Sequence, residues 1–363
     1  MAVDSNVSIS KSVTITNQNL KNKQHNYHIN PNAVDKTPQK DTVQLSKPKK
    51  EGVSTGTKWG LGVLALAGIG AIAYFATRGK VGTKQAQQLV EHIDFKPAKT
   101  IDEARIFAHK TLNVQYLHEN KGNLDMLNTV NEWLYREKYV TKNKIPDFVN
   151  FVEMNIENPV SMTDKIYYEG KAYNVLGVNV NYIDKFEDLF DTVFKSHGDI
   201  NLSGLIRKNN KNFYEVVKPE YQCENIDKLV QKLNAYNTNS TYKEKMEIYD
   251  GLSEAISYLG NITAGKNIKM ANFSANGSFL HEIGHMLHQD AYKFWDEART
   301  EGSKIYQEFQ QSNIQNMAGQ VSAYAKSDPL EFVAEIYKRL RNGQTFSDDL
   351  MALYKKYDGP VLS

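Results

Sequence analysis

From residue 98 to the C terminus, apolar residues return mostly at the three-and-four spacing of an α-helix. Thr100-Ile101-Asp102-Glu103 reads as a capping box that opens a helix reaching about Leu112. Leu124, Leu127, Val130, Trp133 and Leu134 mark a second helix; Phe186, Leu189, Phe190, Val193 and Phe194 mark a third that stops at Gly198. A long fourth helix is expected from about Thr241 to Leu259. The period shortens to two only locally. Residues 165–168 and 173–182 read as strands around Glu169-Gly170, with Val178, Val180 and Tyr182 alternating, and 267–273 reads as a shorter strand. Asn276, Gly277 and Ser278 then form a helix start, with Ser278 the expected N-cap, before Phe279, Leu280, Ile283, Met286 and Leu287 at helical spacing. Many helices with one small sheet predict an α+β, predominantly helical fold.

The N-terminal part departs from this pattern twice. Residues 1–58 are rich in Asn, Lys, Gln, Ser and Thr and too poor in apolar residues for a core, which predicts a disordered polar tail. Trp59 to Ala76 is then an uncharged run of 18 residues bracketed by Lys58 and Arg78, with Trp59, Tyr74 and Phe75 at its ends. Residues 59–77 are therefore expected as a single transmembrane helix, and 78–97 as a linker. The long polar tail ahead of the run argues against a cleavable signal peptide. Flanking charges orient the span only narrowly. Lys40, Lys47, Lys49, Lys50 and Lys58 stand against Arg78, Lys80, Lys84 and Lys96, which places the N terminus in the cytoplasm and the larger C-terminal part on the extracytoplasmic side.

Composition adds mainly exclusions. A net charge of +2 with 24% charged residues gives no footprint for nucleic acid. The single cysteine, Cys223, rules out an internal disulfide and reads as a packing or surface residue. No internal repeat is present.

One segment carries chemistry. His281-Glu282-Ile283-Gly284-His285 puts two imidazoles four residues apart with a carboxylate beside the first. On a helix they share a face one turn apart, so both can ligate one ion while Glu282 takes a proton from the attacking water. This is the H-E-x-x-H pattern of zinc peptidases. His288 lies on the same face but about 10 Å along the axis from His281, too far to share the ion, and is expected to line the cleft or support a ligand. The longer metzincin motif would need Gly at 288 and His at 291, where this chain has His288 and Ala291.

The third ligand must come from elsewhere. Asp328, Pro329 and Glu331 read as N-cap, N1 and N3 of a helix running through Leu340 to Gly343, with Glu331 and Glu335 on one face. One carboxylate can bind metal while the other orients a ligand His through its second ring nitrogen. Closing a capping box with Asp328 is the plainer role for Glu331. Glu301 and Glu308, in a helical-looking stretch from Ala291 to Gln311, are the competing ligands; Glu297 and Asp290 lie too close to the His pair to arrive independently.

His281-Glu282-x-x-His285, Ser322-Ala323-Tyr324 and Glu331-Phe332-x-Ala334-Glu335 together resemble the anthrax lethal factor-like metallopeptidases. The resemblance covers roughly the last 200 residues, with its motifs in the final 90. It implies a zincin-like domain over 151–363, preceded by a small helical region at 98–150. It also implies Zn2+ held by His281, His285 and Glu331, Glu282 as general base, and Tyr324 approaching the metal and assisting catalysis. The expected reaction is hydrolysis of a protein or peptide substrate. An aminopeptidase using the same metal, and a catalytically silent zinc-containing binding protein, are the alternatives.

Overall fold

In a computed structural model of the chain, residues 93–119, 122–154, 160–162, 165–168, 170–181 and 201–361 are described. The expected tail, the apolar run at 59–77 and the helix expected around Phe186 to Phe194 lie outside them. Among the described residues no helix is long and apolar enough to cross a membrane.

The fold is mostly helical with a small sheet. Helix α1 (Ile101–Phe107) starts at Thr100, whose side chain accepts from Glu103 N, and a π-helical turn, Ala108–Leu112, continues it. The return bond expected of a capping box goes instead to the neighbouring amide, Lys99 N. Strand β1 (Tyr116–His118) leads to α2 (Leu124–Val140), whose Leu127, Val130, Trp133 and Leu134 are buried as their spacing predicts. Strands β2 (Phe148–Val152), β3 (Val160–Met162), β4 (Ile166–Tyr168), β5 (Lys171–Tyr173) and β6 (Val175–Asn179) follow. The main sheet has the order β1-β2-β6-β3. β1, β2 and β6 are parallel, and β3 runs antiparallel along the edge, with Val160 opposite Val178. β6 is buried along its whole length, as a strand covered on both faces must be. β4 and β5 form a separate hairpin, as does β7 (Ile206–Lys208) with β8 (Tyr214–Val216).

Among the described residues eight further helices follow: α3 (Glu224–Ala235), α4 (Tyr242–Thr263), α5 (Gly277–Ala291), α6 (Trp295–Ala298), α7 (Lys304–Phe309), α8 (Ser312–Val321), α9 (Pro329–Arg341) and α10 (Asp348–Lys356). Cys223 is the half-buried residue that precedes α3. The capping box Thr241/Glu244 opens α4. Residues 98–150 supply β1 and α2 to the same apolar core as α4 and α5: Trp133 packs on Tyr242 and Phe279, with ring centroids 6.0 and 5.6 Å away.

Two expected elements change. Residues 267–273 are irregular, not a strand. Their backbone is held by side chains instead of a ladder: Asn225 donates to Met270 O at 2.9 Å and Lys228 Nζ to Phe273 O at 3.2 Å. The continuous helix expected from Ala291 to Gln311 is two short ones, α6 and α7, separated by a turn at Gly302 with φ of 89°.

Helices α5 and α9 form the most extensive pairing in the fold. They lie along the seam between two apolar cores. Phe279, Leu280, Ile283 and Met286 face the larger core, while Leu330, Phe332, Val333 and Ile336 face a C-terminal one. Each such side chain contributes about 1.5–3 kcal/mol of burial. The crossing is closest at Gly284, where a Cβ would lie 3.1 Å from Ala334 Cα. Only the absence of a side chain there allows two backbones so near.

Candidate metal centre

Helix α5 begins at Gly277 after Asn276, one residue before the expected N-cap, so Ser278 lies inside the helix. The four-residue spacing then does what periodicity requires. The imidazoles of His281 and His285 stand on one face, with Nε2 atoms 3.0 Å apart. From across the seam, Glu331 Oε2 approaches His281 Nε2 at 3.0 Å and His285 Nε2 at 3.2 Å. Neighbouring donors around a tetrahedral ion bound at about 2.1 Å are roughly 3.4 Å apart, so the three atoms are spaced for one shared ion. These three residues are a group that could hold a metal ion among the described residues. Two imidazoles and a carboxylate suit several first-row divalent ions, zinc among them.

Glu331 arrives there because Asp328, not Glu331, caps α9. The Asp328 carboxylate accepts from Leu330 N at 2.8 Å and Glu331 N at 3.0 Å, which leaves the Glu331 side chain for the histidines. Of the competing carboxylates, Glu308 pairs with Lys356 at 2.6 Å; Asp290, already set aside, pairs with Lys165 at 2.6 Å.

Behind the donors, Glu335 Oε1 lies 3.0 Å from His281 Nδ1. An Nδ1–H donated to this carboxylate leaves the Nε2 lone pair pointing at Glu331 and His285. In the metal-free site, burial opposes a charge on His281, but Glu331 and Glu335 outweigh it and push its pKa up to about 10. His285 is raised in the same way, chiefly by Glu331 against the same burial. Burial pulls upward on the Glu331 carboxyl, yet the two histidines hold it well below the usual carboxylate range. A metal ion entering this cluster would have to displace protons.

Glu282, next to His281, is near enough to act electrostatically on both His285 and Tyr324. Tyr324 begins a 3₁₀ turn, Tyr324–Lys326, fixed by Ser322 Oγ, which accepts from Ala325 N at 2.9 Å. Its ring is tilted over His281 with centroids 5.6 Å apart. The residue as a whole is 47% exposed, so the ring stands at the solvent side of the site. Partial desolvation of the phenol against the site, then the charges of Glu331, Glu282 and Asp328, raise its pKa well above 10 and keep it a hydrogen-bond donor. All five residues singled out by sequence thus meet in one place. Compared with known protein families, curated proteins and solved structures, the chain matches none.

His288 does not line the site. It is fully buried, with Nε2 2.7 Å from Tyr357 O, and is stacked on Tyr292 and edge-on to Trp295. Two turns further along the same face, it meets the carbonyl of Tyr357 and the rings of Tyr292 and Trp295 instead of α9's carboxylates. Burial drives its pKa down to about 3, so it stays neutral.

Sequence reading missed what stands behind Glu335. Lys338 is 5% exposed, and its Nζ pairs with Asp250 Oδ1 at 2.8 Å and Glu254 Oε1 at 2.9 Å. Arg339 pairs with the other oxygen of Glu254. The only sequence trace is the pair Asp250 and Glu254, four apart on the otherwise apolar buried face of α4.

Proposed function

We propose that this chain is a membrane-anchored zinc endopeptidase of the lethal factor-like kind, with a zincin-like catalytic domain. The observation that carries the reading is the convergence of His281 Nε2, His285 Nε2 and Glu331 Oε2 at 3.0–3.2 Å, flanked by Glu282 and Tyr324. A structural histidine pair would need neither the second-helix carboxylate nor a neighbouring base. The uncharged run at 59–77 supports the anchor, and flanking lysines favour the catalytic part outside the cytoplasm.

His281, His285 and Glu331 would hold the zinc, which when bound would supply Lewis acidity for ionising water near about pH 7 and polarising a peptide carbonyl. Glu282 accepts the proton of the attacking water and returns it to the leaving amine. Tyr324, kept protonated, donates a hydrogen bond to the oxygen that becomes negative in the transition state. Glu335 holds the His281 ring. β3, which ends the strand order among the described residues and packs against α5, is the strand to which an extended peptide would add.

The test is cleavage of a peptide library by the full chain in detergent, with and without chelator, against Glu282→Gln. Activity is expected to vanish with chelator and to fall by about 10²–10⁴ in Glu282→Gln while bound zinc is unchanged. Chelator-resistant cleavage, or undiminished cleavage by Glu282→Gln, would defeat the proposal. Zinc bound without any cleavage would point to a silent binding protein.

A further inference from the structure

The charges behind Glu335 form a closed set. Asp250 and Glu254 come from α4; Glu335, Lys338 and Arg339 come from α9. Three carboxylates meet two cations, so the set carries one excess negative charge, and every member is buried. Lys338 Nζ is clamped by Asp250 and Glu254 at 2.8 and 2.9 Å and lies 3.9 Å from Glu335 Oε1, the same oxygen that faces His281 Nδ1 at 3.0 Å. Arg339 Nε stands 3.7 Å from the other oxygen, Oε2. Glu335 is thus bracketed by cations on one side and the ligand ring on the other.

The same set also holds the start of the ligand helix. Asp250 Oδ2 accepts from Ser274 N at 3.0 Å, and its carboxylate fills the space where a Gly277 Cβ would stand, 2.1 Å from that oxygen. One buried carboxylate therefore touches the entrance of α5 and, through Lys338, the residue that orients His281.

We propose that Lys338 is a positioning residue of the metal centre: clamped by Asp250 and Glu254, it fixes Glu335 against His281 and so sets how tightly the site holds metal. This rests on the metal-centre reading above. A stray buried ion pair would stabilise α9 without any connection to the ligands. The molecule contains such a pair on the same helix. Arg341 bonds Glu137, which also accepts from Tyr337 at 3.3 Å, and this pair is separate from the charges that meet Glu335.

That pair supplies the control. Zinc affinity is measured on the full chain by competition with a chromophoric chelator, beside thermal unfolding of the metal-free protein. The variants are Lys338→Met/Asp250→Asn and Arg341→Met/Glu137→Gln, each removing one cation and one anion. The side-chain carbonyl introduced by Asp250→Asn would still accept from Ser274 N. The first is expected to bind zinc about 10–100-fold more weakly than wild type, the range for outer partners of a ligand histidine. The second is expected to shift unfolding but leave zinc affinity unchanged. Should the first variant not fold, Lys338→Arg, which keeps the charge but displaces it from Glu335, takes its place with the same expectation of weaker binding. Wild-type affinity in the Lys338 variant, or equal weakening in the Arg341 control, overturns the proposal while leaving the metal centre standing. A wild-type chain that binds no zinc overturns the metal centre itself.

Discussion

His281 and His288 sit on the same face of the same helix, both enclosed by protein, yet their proton affinities move in opposite directions. His281 has a carboxylate at each nitrogen and rises to about 10; His288 has a carbonyl at one nitrogen, aromatic rings around it, and falls to about 3. Burial disfavours charge in both cases. What differs is α9, whose Glu331 and Glu335 reach one histidine and not the other. The cluster of candidate metal donors is therefore a property of the helix pair, not of the histidine spacing.

The largest break in this comparison is deletion of each ring. His281→Ala is expected to take bound zinc from one equivalent to none and to abolish cleavage, whereas His288→Gln keeps both; metal analysis of the purified variants decides. Moving to the second carboxylate, Glu335→Ala should retain zinc with an affinity lower by about 10–100-fold, read by chelator competition. Glu331→Ala should lose it altogether.

Acid separates the two histidines next. For His288 the unfolded chain takes up a proton at about 6.5 while the folded one resists until about 3, so stability is lost as pH falls below 6.5. At pH 5 this costs about 2 kcal/mol. Denaturant unfolding at pH 5 and 7 should show that loss, reduced in His288→Gln. His281 works in the other direction. In metal-free protein its contribution is fully present below 6.5 and is lost as pH rises through about 10. Zinc binding at pH 7 should accordingly release protons, measurable by calorimetry in two buffers of different ionisation enthalpy; no release would mean that the carboxylates do not hold the ring charged. A steric break is of similar size. Gly284→Ala should lower stability by about 1–3 kcal/mol, because the helices must part around the new methyl, and zinc affinity should fall with it.

Much of this was legible in the sequence because it is local. Asp328-Pro329 starts a helix by a rule that acts within one turn, and that start fixes which way Glu331 points. The four-residue return of His285 is equally local. His288 was misplaced for a reason that periodicity cannot see. Seven residues restore the face of a helix but not its neighbours, and Tyr357, which receives its hydrogen, lies 69 residues on. Lys338, Arg339 and Arg341 resemble the solvated cations that commonly end a helix. Their partners, Asp250, Glu254 and Glu137, stand 84 or more residues upstream, and only the packing of α9 between two cores buries them together. Residues 267–273 have strand-like composition, and nothing in their spacing announces that Asn225 and Lys228 will satisfy the backbone.

The two glycines that flank His281 have a bearing on recognising kindred chains. Gly277 is tied to a carboxylate on α4 and Gly284 to the backbone of α9, so a chain built on this helix pair carries the spacing Gly-x-x-x-His-Glu-x-Gly-His instead of the shorter five-residue word. The nine-residue word is thus a fingerprint of the scaffold written around the chemistry, and a search with it would separate chains that share this architecture from those that share only the pair of histidines.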